Sequence, residues 1–180
     1  DRSDTSLLQG TGIYQLKKFG DKRKAREFFN KAIKLDPTPS YARAISTASL
    51  AQLEYEDGNV VRSDSLFRLA MQSGFYWIGK WQAQLLYANC LFTQNRFEEA
   101  RHYYQTVLNY TDYSWEAHLG MSKLYAMKGS PEKSLHELEM TCKNFMPNPG
   151  KLWEDPVFKS LRKNKKFKAL LLQYKQMNSN

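Results

Sequence analysis

Apolar residues return along this chain at intervals of three and four, the spacing that gathers side chains on one face of an α-helix. Ala25, Phe29 and Ala32 form one such stripe, and Ser63, Phe67 and Ala70 repeat its offsets. Ile13 and Leu16 precede the first stripe across a Gly20-Asp21 turn, and Leu50, Ala51 and Leu53 precede the second across Gly58-Asn59. An apolar block, a turn signal and a second block predict two helices folded back on one another. Leu35-Asp36-Pro37 stops the first pair, because proline cannot continue a helix and restricts the residue before it. Glu54 breaks the pattern: it falls where a bulky apolar residue is expected, which makes the second pair the least regular.

A longer period overlies this one. Trp81 and Trp115 stand 34 residues apart, and Leu85, Ala88, Leu91, Ala100 and Tyr104 recur over the same interval as Leu119, Ser122, Tyr125, Ser134 and Leu138. The turns Gln94-Asn95 and Lys128-Gly129 keep the same step, and Pro131 opens a helix where its missing N–H costs nothing. Self-similarity at this length predicts a solenoid of helix pairs, each burying its apolar face on the next. Small Ala88, Leu91 three later, Arg96-Phe97-Glu98-Glu99-Ala100 and then Tyr104 together resemble a tetratricopeptide (TPR) repeat. So does the stretch from Phe19 to Pro37, its ending included.

That resemblance implies an all-α, right-handed superhelix of about four helix pairs, over residues 6–39, 40–77, 78–114 and 115–148. Extra residues fall in the linkers around Pro39-Ser40 and Phe75-Tyr76-Trp77, and the fourth pair ends at Pro147-Asn148-Pro149-Gly150. Beyond that break, Asp155-Pro156 with Phe158, Leu161 and Arg162, then Phe167, Leu170 and Leu171, resembles the segment that closes many bacterial TPR arrays. A last repeat has an apolar face with no successor, so residues 151–180 are expected to cap it within the same domain. Phe158, Leu161, Phe167, Leu170 and Leu171 would cover that face, leaving Lys159, Arg162, Lys163, Lys165, Lys166 and Lys168 toward water.

At 180 residues the chain can bury a sizeable core. No run of 18 apolar residues is present to span a bilayer. The chain opens at Asp1 with no Met and reads as a processed product, or as part of a longer chain. The net charge of +9 is uneven: residues 151–180 carry eight Lys/Arg against two Asp/Glu, residues 1–36 nine against five, and residues 37–150 ten against eleven. Basic ends can meet nucleic acid, anionic lipid or an acidic protein. Cys90 and Cys142 lie in no paired motif and read as buried thiols, which leans toward a cytoplasmic rather than a periplasmic setting.

Catalytic chemistry finds no support. His102, His118 and His136 are scattered without metal-ligand spacing, Gly10-Thr11-Gly12 lacks the rest of a phosphate loop, and no cofactor or metal is indicated. Asn109-Tyr110-Thr111 has the form of a glycosylation acceptor, a common triplet. The resemblance instead implies a non-catalytic scaffold or adaptor that holds a protein or peptide in a concave groove lined by the first helix of each pair. Taking the positions that the core stripe does not use, the groove candidates are Tyr14, Lys17, Gln52, Tyr55, Gln82, Leu85, Asn89, Phe92, Lys123 and Met127. Tyr55, Phe92 and Met127 would offer apolar contacts, and Gln52, Gln82 and Asn89 could bond a peptide backbone. Only Asn89 and Lys123 suit the carboxylate clamp of chaperone-tail-binding TPRs, which argues against that subclass. The alternative is a nucleic-acid-associated module using the basic ends, and a third reading is a spacer or self-association unit.

Overall fold

A computed structural model describes residues 2–73, 77–144, 146–147 and 150–177 of the chain. Phe75 and Tyr76 of the expected linker, and Asn148 and Pro149 of the expected break, lie outside the described residues. The fold is all-α. Its helices are α1 (Arg2–Tyr14), α2 (Lys22–Leu35), α3 (Tyr41–Glu56), α4 (Val60–Ser73), α5 (Trp77–Thr93), α6 (Phe97–Tyr110), α7 (Trp115–Met127), α8 (Pro131–Lys143), the short α9 (Lys151–Glu154) and α10 (Lys165–Met177). One π-helical turn, Gln15–Phe19, extends α1, and a 3-10 segment, Pro156–Lys163, precedes α10. The chain divides into two compact units, Asp1–Arg96 and Phe97–Asn180.

The left-handed residues sit where the sequence places its turns. Gly20, Gly58 and Gly129 have φ of 64°, 84° and 68°, a region open to glycine at no steric cost, and Asn95 holds the equivalent place at 61°. Helix starts are capped as their sequences suggest. Asp21 accepts from the Lys24 amide at 2.9 Å, Ser40 from Arg43 at 3.1 Å and Ser114 from Ala117 at 3.3 Å. The bond from the Lys24 amide, reinforced by the Lys24 charge, holds the half-buried Asp21 carboxyl below its usual range.

In the first unit α1, α3 and α5 stand in sequence, α1 against α3 and α3 against α5; α2 packs on α1 and α3, and α4 on α3 and α5. Having neighbours on so many sides, α3 buries eleven of its sixteen residues and shows no clean apolar stripe. Ala25, Phe29, Leu50 and Leu53 form a core cluster with Ile13 and Leu16 packed against it. Phe67 is fully buried and stacks on Tyr87, ring centroids 4.8 Å apart. Burial, followed by a hydrogen bond to Asp64, pushes the Tyr87 phenol up to about 12.

The first helix starts at Arg2, well before the apolar residues that announce it. Its buried positions there are Thr5, Gln9 and Gly12, at helical spacing but without hydrophobicity to mark them. Gly12 is needed for closeness: a Cβ built on it would lie 2.5 Å from the Phe29 ring.

Glu54, the misfit of the second pair, is buried at 9% exposure. Arg26 of α2 reaches it at 3.1 Å and also engages Asp57, while the Leu53 carbonyl accepts from the same guanidinium at 3.2 Å. Asn59 donates to the other carboxylate oxygen at 2.9 Å. A charge thus replaces the expected apolar side chain because the preceding helix supplies its counter-ion and the turn supplies an amide.

In the second unit α6 packs on α7 and α7 on α8. Gly120 brings α7 close to α6, where an added Cβ would fall 2.3 Å from the Tyr104 ring. Ser122 donates to the Ser134 carbonyl at 2.8 Å, so small residues let α7 and α8 approach. Beyond them Leu138, Cys142, Leu152, Phe158, Leu161 and Phe167 form one core cluster, with Leu170 and Leu171 packed against it. The 3-10 segment packs on α7 and α10 packs on α8.

Cys90 and Cys142 are both free and buried. Burial pushes their thiols up to about 12 and about 11, so little nucleophilic thiolate exists near neutrality. Both should resist a thiol-reactive dye at pH 8 in the native state and react at once in denaturant. Fast native labelling of either would place it outside the core.

Candidate protein-binding face

Eight of the ten residues expected to line a groove lie in the first unit. Tyr14 and the Lys17 of the following π turn, Gln52 and Tyr55 of α3, and Asn89 and Phe92 of α5 form three pairs, each spaced by three residues on neighbouring helices. Tyr14 is 49% exposed, Lys17 and Asn89 are exposed, and Gln52, Tyr55 and Phe92 are half-buried. Tyr14 meets Phe19 edge-on at 5.6 Å, with the Lys18 ammonium 5.7 Å from its ring centre. Gln52 donates to Glu56 at 3.2 Å.

The remaining candidates are placed differently. Gln82 is half-buried and accepts from the Tyr41 hydroxyl at 2.7 Å. Leu85 is buried at 8% exposure and serves the interior. In the second unit Met127 is half-exposed, whereas Lys123 is half-buried and ion-paired with Asp155 at 2.8 Å. That pair neutralises one of the two groups suited to a carboxylate clamp. Tyr41, 40% exposed and tied to Gln82, escaped the sequence reading. As the first residue of α3 it reads as a boundary, and no local signal pairs it with a glutamine one repeat later.

The polar chemistry elsewhere is structural. His118 is buried, its Nδ1 2.6 Å from Glu137 and its Nε2 3.1 Å from the Asp112 carbonyl, while His102 and His136 are exposed. Among the described residues no group of three or more His, Cys, Asp or Glu could hold a metal ion, and no helix is long and apolar enough to cross a membrane.

Comparison with known proteins bears on the same helices. Tetratricopeptide-repeat family models match residues 16–39 and residues 82–110. The first covers the π turn and α2, and the second covers most of α5 and all of α6. No curated protein matches the sequence. A solved structure titled as the functional characterization of pilF from Pseudomonas aeruginosa is similar, with a TM-score of 0.75 and 17% identity over 97% of this chain and 77% of that one; at that identity the likeness speaks to fold. Residues 16–39 and 82–110 thus match tetratricopeptide repeats, within an all-α architecture that superimposes on that structure and whose left-handed turns recur at about the repeat interval.

Proposed function

We propose that the first unit binds a protein or peptide on the face carrying Tyr14, Lys17, Gln52, Tyr55, Asn89 and Phe92. Repeats of this family are typically non-catalytic interaction modules, and four helix pairs closed by a terminal segment suit a scaffold or adaptor. The observation that carries the reading is the recurrence of the three pairs on successive first helices, at positions the core leaves partly open. Aromatic rings supply contact area at little entropic cost, and Gln52 and Asn89 carry the amide chemistry that bonds an extended backbone. Helices already packed lose little further freedom on binding, so most of the contact energy would appear as affinity.

The test is capture from source-cell lysate by the native chain and by Tyr55→Ala/Phe92→Ala, followed by affinity measurement on the purified candidate. Loss of two half-buried rings should leave thermal melting close to the parent and weaken the partner by about 2 kcal/mol or more, the scale of an interface hot spot. An affinity equal to the parent's would remove these rings from the interface. Nucleic acid retained equally by both proteins, with steep salt dependence, would transfer the function to the basic ends.

A further inference from the structure

The closing segment is more basic than a cap requires. Phe158 and Leu161 face inward from the 3-10 turn and Phe167 from α10, all essentially buried, and the lysines between them point the other way. Lys159, Lys163, Lys165, Lys166 and Lys168 are all exposed. Lys166 meets Glu132 at 3.1 Å; the other four have no acidic partner among the described residues. Lys165, Lys168 and Leu172 follow at intervals of three and four, which places them on one outer stripe of α10. Leu172 on that stripe is 63% exposed, and Trp153, just upstream, is 42% exposed.

We propose that this lysine face of the closing segment is a contact for an anionic lipid bilayer, independent of the groove. The choice among polyanions follows from the side chains. Recognition of a discrete phosphodiester or carboxylate favours the forked guanidinium, whereas lysine is a flexible point charge that answers to a diffuse surface potential. The arginine of this segment, Arg162, is already committed: its guanidinium lies 5.8 Å from the Trp153 ring centre and donates to the Glu154 carbonyl at 3.3 Å. Single-stranded nucleic acid would need an aromatic ring open to stacking. Trp153 already stacks on Phe167, centroids 6.1 Å apart, and holds Arg162. An exposed leucine in line with two lysines, beside an amphipathic tryptophan, instead suits a headgroup layer with acyl chains beneath.

The experiment is co-sedimentation of the whole chain with vesicles of phosphatidylcholine, with and without phosphatidylserine. Two triple variants remove equal charge: Lys159→Gln/Lys165→Gln/Lys168→Gln in the patch, and Arg23→Gln/Lys31→Gln/Lys34→Gln on exposed positions of α2. The native chain and the α2 variant should bind the anionic vesicles and leave the neutral ones. The patch variant should bind about a hundredfold more weakly, from about fivefold per lysine near the surface. Leu172→Ser changes no charge and should cost about tenfold, which keeps the test decisive should the patch variant melt early. Equal binding to both vesicle types, or native binding unaffected by Leu172→Ser and by the patch substitutions, would overturn the proposal. So would a single-stranded oligonucleotide that binds the same face more tightly at equal salt.

Discussion

Phe29→Ala should destabilise the first unit by about 3–5 kcal/mol, the range for truncating a buried aromatic ring, and the loss should depend on a glycine in the preceding helix. Phe29 is fully buried, and its ring occupies the space that a Cβ on Gly12 would need. Gly12→Ala alone should therefore cost about 1–3 kcal/mol through overpacking. With Phe29 already truncated, the same change meets no ring and restores helix propensity worth up to about 1 kcal/mol, so its sign should reverse. A double-mutant cycle by denaturant titration reads this directly. An equal cost for Gly12→Ala in both backgrounds would mean that the ring does not set the helix separation. Tyr104→Ala should behave alike in the second unit, with Gly120 in the part of Gly12.

Arg26→Ala should be nearly as damaging, at about 3 kcal/mol. Removing one member of a buried pair usually costs about 3–5 kcal/mol; here partial access to water and the mostly exposed Arg62, 3.7 Å from Glu54, temper the loss. Asp57 adds little, since it is largely exposed. Asn59 remains to bond Glu54 but cannot neutralise it. The informative partner is Arg26→Met/Glu54→Leu, which installs the apolar residue that the repeat pattern expects at this position. That double substitution should recover most of the parent stability, because matched apolar groups often replace a buried ion pair at no net cost. A double variant as unstable as Arg26→Ala would show that the guanidinium matters chiefly through the Leu53 carbonyl it bonds at the end of α3.

How legible these features were follows from what periodicity can report. A stripe appears when a helix has one buried side, and α2, α6 and the closing segment satisfy that condition. Phe29 and Ala32 were marked as interior by spacing, Tyr104, Phe158 and Phe167 by the family resemblance, and all five are buried. The first pair was read from residue 6 whereas α1 starts at Arg2, because Thr5, Gln9 and Gly12 are polar or small and its inward face has period without hydrophobicity. Glu54 looked like a defect because its counter-ion lies 28 residues earlier, beyond any local window. The candidate binding face shows the same limit. Spacing named the positions that point away from the stripe, but Leu85 has a neighbour to sink against and Lys123 an acid 32 residues later to neutralise it. Whether a surface position is open depends on what packs beside it, and that information is non-local.

Three of the left-handed turn residues mark places where this chain can grow. Gly20, Gly58 and Gly129 are exposed, and each joins two helices packed on one another: α1 and α2, α3 and α4, α7 and α8. Lengthening a loop between fixed ends costs only about 0.6 kcal/mol per doubling, so a new segment spliced at any of these tips would hang outward while the helices behind it kept their register. A repeat of this design therefore separates two kinds of variation: interior glycines such as Gly12 and Gly120 admit almost none, while the glycines at the tips are doors through which a lineage could add whole recognition loops, or an experimenter a reporter, without disturbing the helix pair behind them.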